Sequence, residues 1–551
     1  LRFCDRLILI ILYALLLITP ILSWRFIENP LLISNLKETF ILVSIVILVT
    51  VYLLDNFPSK RQVSIPLKYP IMGLVVTSAV SIFGSKSLIV SIREFYGLLL
   101  LVIFYSIVYV SMKGEKERVR LIASLIIVTS FISVYFLMQY FNIDPLGLRQ
   151  TYPSATFTNQ NFLAGFLSTV LPLSVAFIFI THQKGLKAIF SLLAVLLFIS
   201  ILFTRTRGAW VSVLLGLVFF FYLVRHDGLL RKRGIVLVLL LFAVFTTAII
   251  GLDKNERFSF TERFRSIFNL KDSSNKHRLL MWRSSLDMIK DSPLIGIGIG
   301  TFDMNYPKYQ GKYLRLEEYA NYTGSTIHAH NEYIETAAET GLLGIGSLIW
   351  LIIAIFKYGM DIVNNKERGE RLLIFGILSS IATILIYGLF SFPFHMPTTW
   401  MLFWFLIGIL GSMTLQPSVK TKYSPVWVRI GIVIIALFLL SWTTRPFIAN
   451  IYFYKGYWHG KNGRWEEGVN SFQRAIRINP DDYKSHYNLA VLYEDRDMLL
   501  SAIDEYGRVL RLYPTHVETH LRLGNLYESL GDHDNAQKEY KKAEEIFPNS
   551  F

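Results

Sequence analysis

Ser325-Thr326-Ile327-His328-Ala329-His330-Asn331-Glu332-Tyr333 lies late in residues 253–340, the only long polar segment between hydrophobic runs. The stretch that follows, Ala337-Ala338-Glu339-Thr340-Gly341-Leu342-Leu343-Gly344, is rich in small residues and leads straight into the next apolar run. Two histidines and a carboxamide held where a polar loop meets a membrane point to chemistry at the membrane surface.

Outward from this stretch the chain is apolar. Hydrophobic residues make up 53% of its 551 positions and the mean hydropathy is +0.44, well above a soluble domain of this length. The apolar residues fall in blocks of about 16 to 22, long enough as helix to cross a hydrocarbon core of roughly 30 Å. The fold class expected is all-α: a polytopic transmembrane helical bundle of about 12–13 spans over residues 1–445, and a helical solenoid over 446–551. Spans are expected near 8–24, 39–54, 69–84, 95–112, 119–140, 162–181, 187–204, 209–225, 234–252, 341–358, 372–391, 397–414 and 427–444. Residues 8–23 lack a small-x-small cleavage site and read as a first span, not a cleaved signal peptide. With Cys4 the only cysteine, neither a disulfide framework nor a cysteine-ligated metal site is available.

The formal charge is +15. On a membrane protein, basic charge points to cytoplasmic loops and anionic lipid headgroups, not to nucleic acid. If the N-terminus is cytoplasmic, the inward loops hold 22 Lys and Arg and the short outward loops only 7, as the positive-inside rule requires. Thirteen spans then place the 253–340 loop and everything after 445 outside the cytoplasm. For a bacterial cell this means a multi-pass protein of the inner membrane.

The last hundred residues are periodic. Pro480, Pro514 and Pro548 are spaced 34 apart, as are Phe472, Tyr506 and Tyr540; Gly456, Ala490 and Gly524; and Ala475, Val509 and Ala543. This is the tetratricopeptide signature, and about three repeats are expected. Small residues let the helices approach and aromatics fill the space between repeats. The usual work of such repeats is binding a peptide or protein partner; otherwise they are scaffold.

Three further constellations could carry chemistry. Thr204-Arg205-Thr206-Arg207-Gly208-Ala209-Trp210 falls in the tight outer turn between the seventh and eighth spans. Arginine suits bidentate contact with phosphate oxygens, and the alternative is snorkelling to headgroups. In the polar loop, Leu279, Trp282, Leu286 and Ile289 are spaced as one face of an amphipathic helix along the membrane, whose start would hold Arg278 near a bound anion. His328 or His330 could take a proton from a sugar hydroxyl, with Asn331 orienting the ring or meeting the sugar. The rival is a metal site using both histidines with Glu332 or Glu335. Against it, spacing fixes no third ligand, and i and i+2 do not converge on a helix. Gly296-Ile297-Gly298-Ile299-Gly300 lacks the spacing of a dinucleotide fingerprint. Asp495-Arg496-Asp497 and Asp532-His533-Asp534 fall in turns of the repeats.

Taken together these stretches resemble the O-antigen ligase and polymerase superfamily, which includes the protein O-oligosaccharyltransferases. Thr156-Phe157-Thr158-Asn159-Gln160-Asn161-Phe162-Leu163-Ala164-Gly165 looks like the family's asparagine pair before a span. Arg207-Gly208-Ala209-Trp210 matches its arginine turn. Arg278-Leu279-Leu280-Met281-Trp282 through Pro293-Leu294-Ile295-Gly296 matches its loop helix, and His328 to Tyr333 with Glu339 to Gly344 its histidine motif. The resemblance implies a metal-independent glycosyltransferase of the GT-C type, without cofactor. It would move an undecaprenyl-diphosphate-linked glycan to a lipid, glycan or protein acceptor. Arg207 and Arg278 would hold the diphosphate, His330 would act on the acceptor hydroxyl, and Arg205 and His328 are second choices; Asn159, Asn161 and Asn331 are further substrate contacts. A repeat-bearing envelope scaffold or flippase is the non-enzymatic alternative, but transporters tend to place ionisable groups at mid-membrane.

Overall fold

The computed structural model describes residues 3–23, 30–55, 65–148, 152–157, 159–228, 272–319, 326–414 and 425–548, with 244, 247, 269 and 322 as isolated positions. Its long elements are α1 (Phe3–Ile21), α2 (Pro30–Asp55), α3 (Lys68–Ser81), α4 (Leu88–Ser111), α5 (Glu115–Tyr140), α6 (Gln160–Ile180), α7 (Lys184–Phe203) and α8 (Arg207–His226). They continue with α9 (Ser273–Asp291), α10 (Phe302–Leu314), α11 (Glu332–Val363), α12 (Arg368–Tyr387), α13 (Pro397–Ser412) and α14 (Val426–Lys461). The solenoid adds α15 (Trp465–Ile478), α16 (Tyr483–Glu494), α17 (Leu499–Leu512), α18 (Val517–Ser529) and α19 (His533–Ile546). The fold is all-helical. Ten of the described helices are long and apolar enough to cross a membrane, and Lys68–Gly84 and Pro397–Ser412 are shorter apolar helices. These match twelve of the expected spans. The one near 234–252 lies, apart from residues 244 and 247, outside the described residues.

The chain divides into two compact units interleaved in sequence. One comprises Leu1–Met72, Leu99–Asn275 and Leu348–Leu437; the other Gly73–Leu98, Lys276–Ser347 and Phe438–Phe551.

In the first unit α6 and α12 are buried along nearly their whole length, against each other and against α8. Small residues permit this. A Cβ on Gly165 would come within 2.7 Å of the Tyr387 ring, and one on Gly216 within 2.0 Å of Thr383 Oγ1. Close backbone approach gives van der Waals contact, which holds helices together where lipid removes the hydrophobic incentive. One ion pair is buried here, Arg118 Nη2 to Glu370 Oε1 at 2.9 Å.

In the second unit a glycine seam joins the polar loop to α11. Gly341 breaks that helix with φ 67° and ψ −171°, and Gly296 opposite has φ +72°. The amides of Ile297 and Gly298 donate to the carbonyls of Ala338 and Glu339 at 3.0 Å each, and the Leu342 amide donates to Pro293 O at 2.8 Å. A Cβ on either glycine would lie 2.3 Å from backbone atoms of the facing strand of chain, Glu339 for Gly296 and Leu294 for Gly341. Left-handed backbone and close approach both demand glycine. Helix α11 begins well before the expected span, at Glu332, because Asn331 Oδ1 accepts from the amides of Tyr333 and Ile334 at 3.1 Å each. Side-chain capping satisfies two of the donors orphaned at a helix start.

The amphipathic helix exists, and Trp282 and Ile289 of its expected face pack against the core, but the fully buried face is rotated from the expected one. Leu280, Met281, Ser284, Ser285 and Met288 point inward, while Leu286 is 49% exposed. The serines are the reason: Ser284 Oγ donates to Leu280 O at 2.9 Å and Ser285 Oγ to Met281 O at 2.7 Å. Small side chains with satisfied hydroxyls can line a tight contact, so Met281 and Met288 reach the rings of Phe302, Tyr306 and Tyr309 on α10. The helix also starts earlier than expected, at Ser273, so Arg278 stands inside it and not at its N-terminal end.

The 34-residue columns meet face to face. Gly456 lies against the Phe472 ring and Gly524 against Tyr540, while Ala490 and Tyr506 share one buried cluster. Ala475, Val509 and Ala543 are fully buried. The first repeat helix is the end of α14, which runs unbroken from Val426 to Lys461 with Pro446 inside it.

Candidate functional site

The predicted residues gather in two groups, one in each unit. In the first unit, Asn159 caps α6 by accepting the Asn161 amide at 2.7 Å. Asn161 Oδ1 accepts from Thr206 Oγ1 at 3.0 Å, and its carbonyl accepts from Tyr387 OH at 2.9 Å. The asparagine pair is thereby tied to the arginine turn. In that turn Arg205 takes a left-handed φ of 55°, a conformation costly for a side chain other than glycine, asparagine or aspartate. Arg207 opens α8, donating from Nη2 to Ser274 Oγ at 3.2 Å and lying 3.6 Å from Asp272 Oδ1. Its guanidinium already faces an anion, the Asp272 carboxylate.

The second unit holds Arg278, His328, His330 and Asn331. Glu335, 1% exposed on its side chain, organises the loop. Its Oε1 is 2.7 Å from His328 Nδ1 and its Oε2 accepts the Ala329 amide at 2.8 Å. A carboxylate at Nδ1 sets the proton there and makes Nε2 the basic nitrogen of the neutral ring. Trp282 Nε1 donates to Ala329 O at 3.1 Å, and Thr326 Oγ1 to His328 O at 2.9 Å. Ala329 is buried with Met281, Tyr306 and Ala338, so the residue between the histidines is an anchor.

His330 has φ 51°, left-handed like Arg205. Burial, then the Arg278 and His328 charges, push its imidazole down to about 4, with Glu335 opposing. The ring is therefore neutral across the physiological range, and Arg278 is near enough to act on it. His277, the residue before Arg278, stacks on Tyr322 with centroids 5.2 Å apart, and burial lowers its basicity too.

Sequence reading missed three contributors. Glu339 caps α10, its Oε1 accepting the Phe302 amide at 3.0 Å. Asp303, in the first turn of α10, is pushed up to about 6 by burial, although its Met304 backbone hydrogen bond and the charges of His328 and Lys484 oppose this. Glu335 entered only as a metal ligand, yet it orients a histidine. The i, i+7 spacing of His328 and Glu335 was the available signal, across a loop-to-helix junction that periodicity does not describe.

Residues 192–349 match the family described as O-antigen ligase, and 449–496 and 517–550 match tetratricopeptide repeat families. The chain thus carries a stretch similar to O-antigen ligases ahead of stretches similar to tetratricopeptide repeats. It is similar to teichuronic acid biosynthesis protein TuaE of Bacillus subtilis (strain 168), 25% identical over 56% of this chain and 63% of that protein. It is also similar to an O-antigen ligase of Salmonella typhimurium (strain LT2), 26% identical over 33% of this chain and 42% of that one. The chain spans less than two thirds of the length of these curated relatives. The crystal structure of MamA aligns with 22% of this chain and 71% of its own, at 23% identity and a TM-score of 0.18. The protein is a multi-pass membrane protein similar to those of polysaccharide biosynthesis.

Proposed function

We propose that this protein transfers a glycan from an undecaprenyl diphosphate to an acceptor hydroxyl on the outer side of a bacterial inner membrane. The observation that carries the reading is a half-buried histidine held in left-handed backbone, its basicity lowered by desolvation and by the Arg278 charge, within the matched residues. His330 takes the proton of the acceptor hydroxyl. The freed oxygen bonds to the anomeric carbon as the bond from that carbon to the diphosphate oxygen breaks, and the electron pair leaves on the diphosphate. Arg278 meets the developing charge. The base and leaving group lie on opposite faces of the carbon, so configuration inverts. No metal is used.

The arrangement supplies its own timing. Arg278 is one of the charges that depress His330. A diphosphate paired with Arg278 cancels that field, so the histidine becomes a better base only when donor is bound. Arg207 and Arg205 are proposed phosphate ligands of the other unit, with Asn159 and Asn161 holding their turn; Asn331 caps α11 and fixes the loop. His328, oriented by Glu335, supports the loop and stands second as base. The acceptor is a lipid, the growing glycan or a protein hydroxyl, which separates ligase, polymerase and protein glycosylation.

The test is transfer from a lipid-diphosphate donor in membranes offering all three acceptors. His330→Ala should lower kcat by about 10² or more with donor still bound, and Arg278→Ala should chiefly weaken donor binding. Full activity in both overturns the residue assignment. Inactivity of the wild type with every acceptor moves the reading to an envelope scaffold or flippase.

A further inference from the structure

Helix α10 contains a proline, Pro307. Proline has no N–H, so the carbonyl four residues back, that of Asp303, has no intrahelical donor. The repeats supply one: Tyr513 OH donates to Asp303 O at 2.8 Å. Two residues on, Thr515 Oγ1 donates to Met304 O. Both side chains belong to the turn around Pro514, one of the 34-residue columns, and both residues are buried.

The equivalent turn of the next repeat grips the far end of the same helix. A Cβ on Gly311 would lie 2.3 Å from Ile546 O, and Phe547 is buried with Leu280, Leu314 and Tyr319. The two grips are about eight residues apart on α10, or roughly 12 Å at 1.5 Å per residue. Successive turns of the solenoid thus hold one helix lengthwise.

On its other side α10 faces the histidine loop. Phe302 and Tyr306 are buried with Ala329, the Phe302 amide is held by Glu339, and Asp303 lies within the field of His328 and Glu335. We propose that Tyr513 is a positioning residue for the histidine site: its hydroxyl completes the helix that Pro307 leaves incomplete, and α10 in turn fixes the loop at 326–331. The repeats serve the site in cis. The effect on transfer rests on the glycan-transfer reading above; the effect on the loop does not.

The experiment is a double-mutant cycle in the full-length protein, with transfer kinetics and hydrogen exchange read together. Tyr513→Phe removes the donor; Pro307→Ala restores an amide at the orphaned carbonyl. Tyr513→Phe should lower kcat about fivefold with the donor KM unchanged, a modest misplacement effect, and speed amide exchange in both 302–314 and 326–331. Pro307→Ala in the Tyr513→Phe background should bring both readouts back to within about twofold of wild type. Exchange and kcat unchanged in Tyr513→Phe would overturn the proposal. So would a defect that Pro307→Ala does not rescue, since Tyr513 would then only stabilise the repeats. If the wild type transfers nothing, the exchange arm still decides whether the turn positions the loop, and only the glycan-transfer reading fails.

Discussion

In the repeats, His486 Nδ1 is 2.5 Å from Glu505 Oε2 and its Nε2 is 3.0 Å from Pro480 O, and His520 repeats the pattern with Glu539 at 2.5 Å and Pro514 O at 3.1 Å. Each ring is fixed between a carboxylate and a carbonyl, 34 residues apart, on ordinary helical backbone. In the polar loop, one carboxylate divides itself between His328 and the Ala329 amide, and His330 is held in left-handed backbone. The repeat histidines close a turn; in the loop, His330 is kept in a costly conformation. Under the reading proposed above, the strain held at His330 serves the base, a demand the repeat histidines do not face.

Substitutions can break that contrast. The largest effect should come from Gly341→Ala, which puts a methyl 2.3 Å from the Leu294 backbone at positive φ; loss of more than about 4 kcal/mol, read as failure to purify folded protein, is expected. Glu335→Gln keeps the shape but removes the charge that orients His328. Transfer should fall about tenfold to a hundredfold while donor affinity holds; an unchanged rate would make Glu335 merely structural. His520→Ala leaves the Glu539 carboxylate and the Pro514 carbonyl without this partner, costing about 1–3 kcal/mol in a denaturant melt of the full chain.

The pH profile sharpens the comparison further. With His330 at about 4, the acidic limb of kcat/KM for the donor, which reports donor-free enzyme, should sit near there and move to higher pH in kcat, where donor occupies Arg278. Its stability sign follows: between 4 and the unfolded value near 6.5, the unfolded chain binds the extra proton, so the loop loses stability as pH falls through that window. A limb at 6.5 in both profiles would remove burial as the controlling influence. The smallest effect is expected from Leu286→Gln, within about 0.5 kcal/mol, whereas Met288→Ala, fully buried, should cost roughly 2–5 kcal/mol.

That last pair shows where sequence reading stopped. Apolar block length was enough to place the twelve spans that fall on described residues, because helix rise and bilayer thickness set it. The repeats were legible from their period, though not which small residue meets which ring. The phase of α9 was not, because Ser284 and Ser285 count as polar until their hydroxyls are seen to bond within their own helix. Nor was the left-handed backbone at His330 and Arg205, since residue type alone does not fix a positive φ. The candidate residues themselves came from motif and loop position, but Glu339, Asp303 and the pairing of Tyr513 with Asp303 depend on residues up to 210 apart, and no local pattern encodes them.

The glycine seam has a consequence for how the chain is made. Residues 293–298 leave the ribosome 45 residues before 338–343. The left-handed bend at Gly296 and the carbonyls of Pro293 and Leu294 are thus available as a template before the next span is delivered to the membrane, and the break at Gly341 forms against it. Domains fold in the order they are synthesised, and here the expected checkpoint is a single junction. Nascent chains arrested before and after residue 343 has cleared the ribosome should differ in one respect: only the longer ones protect 293–298 from protease.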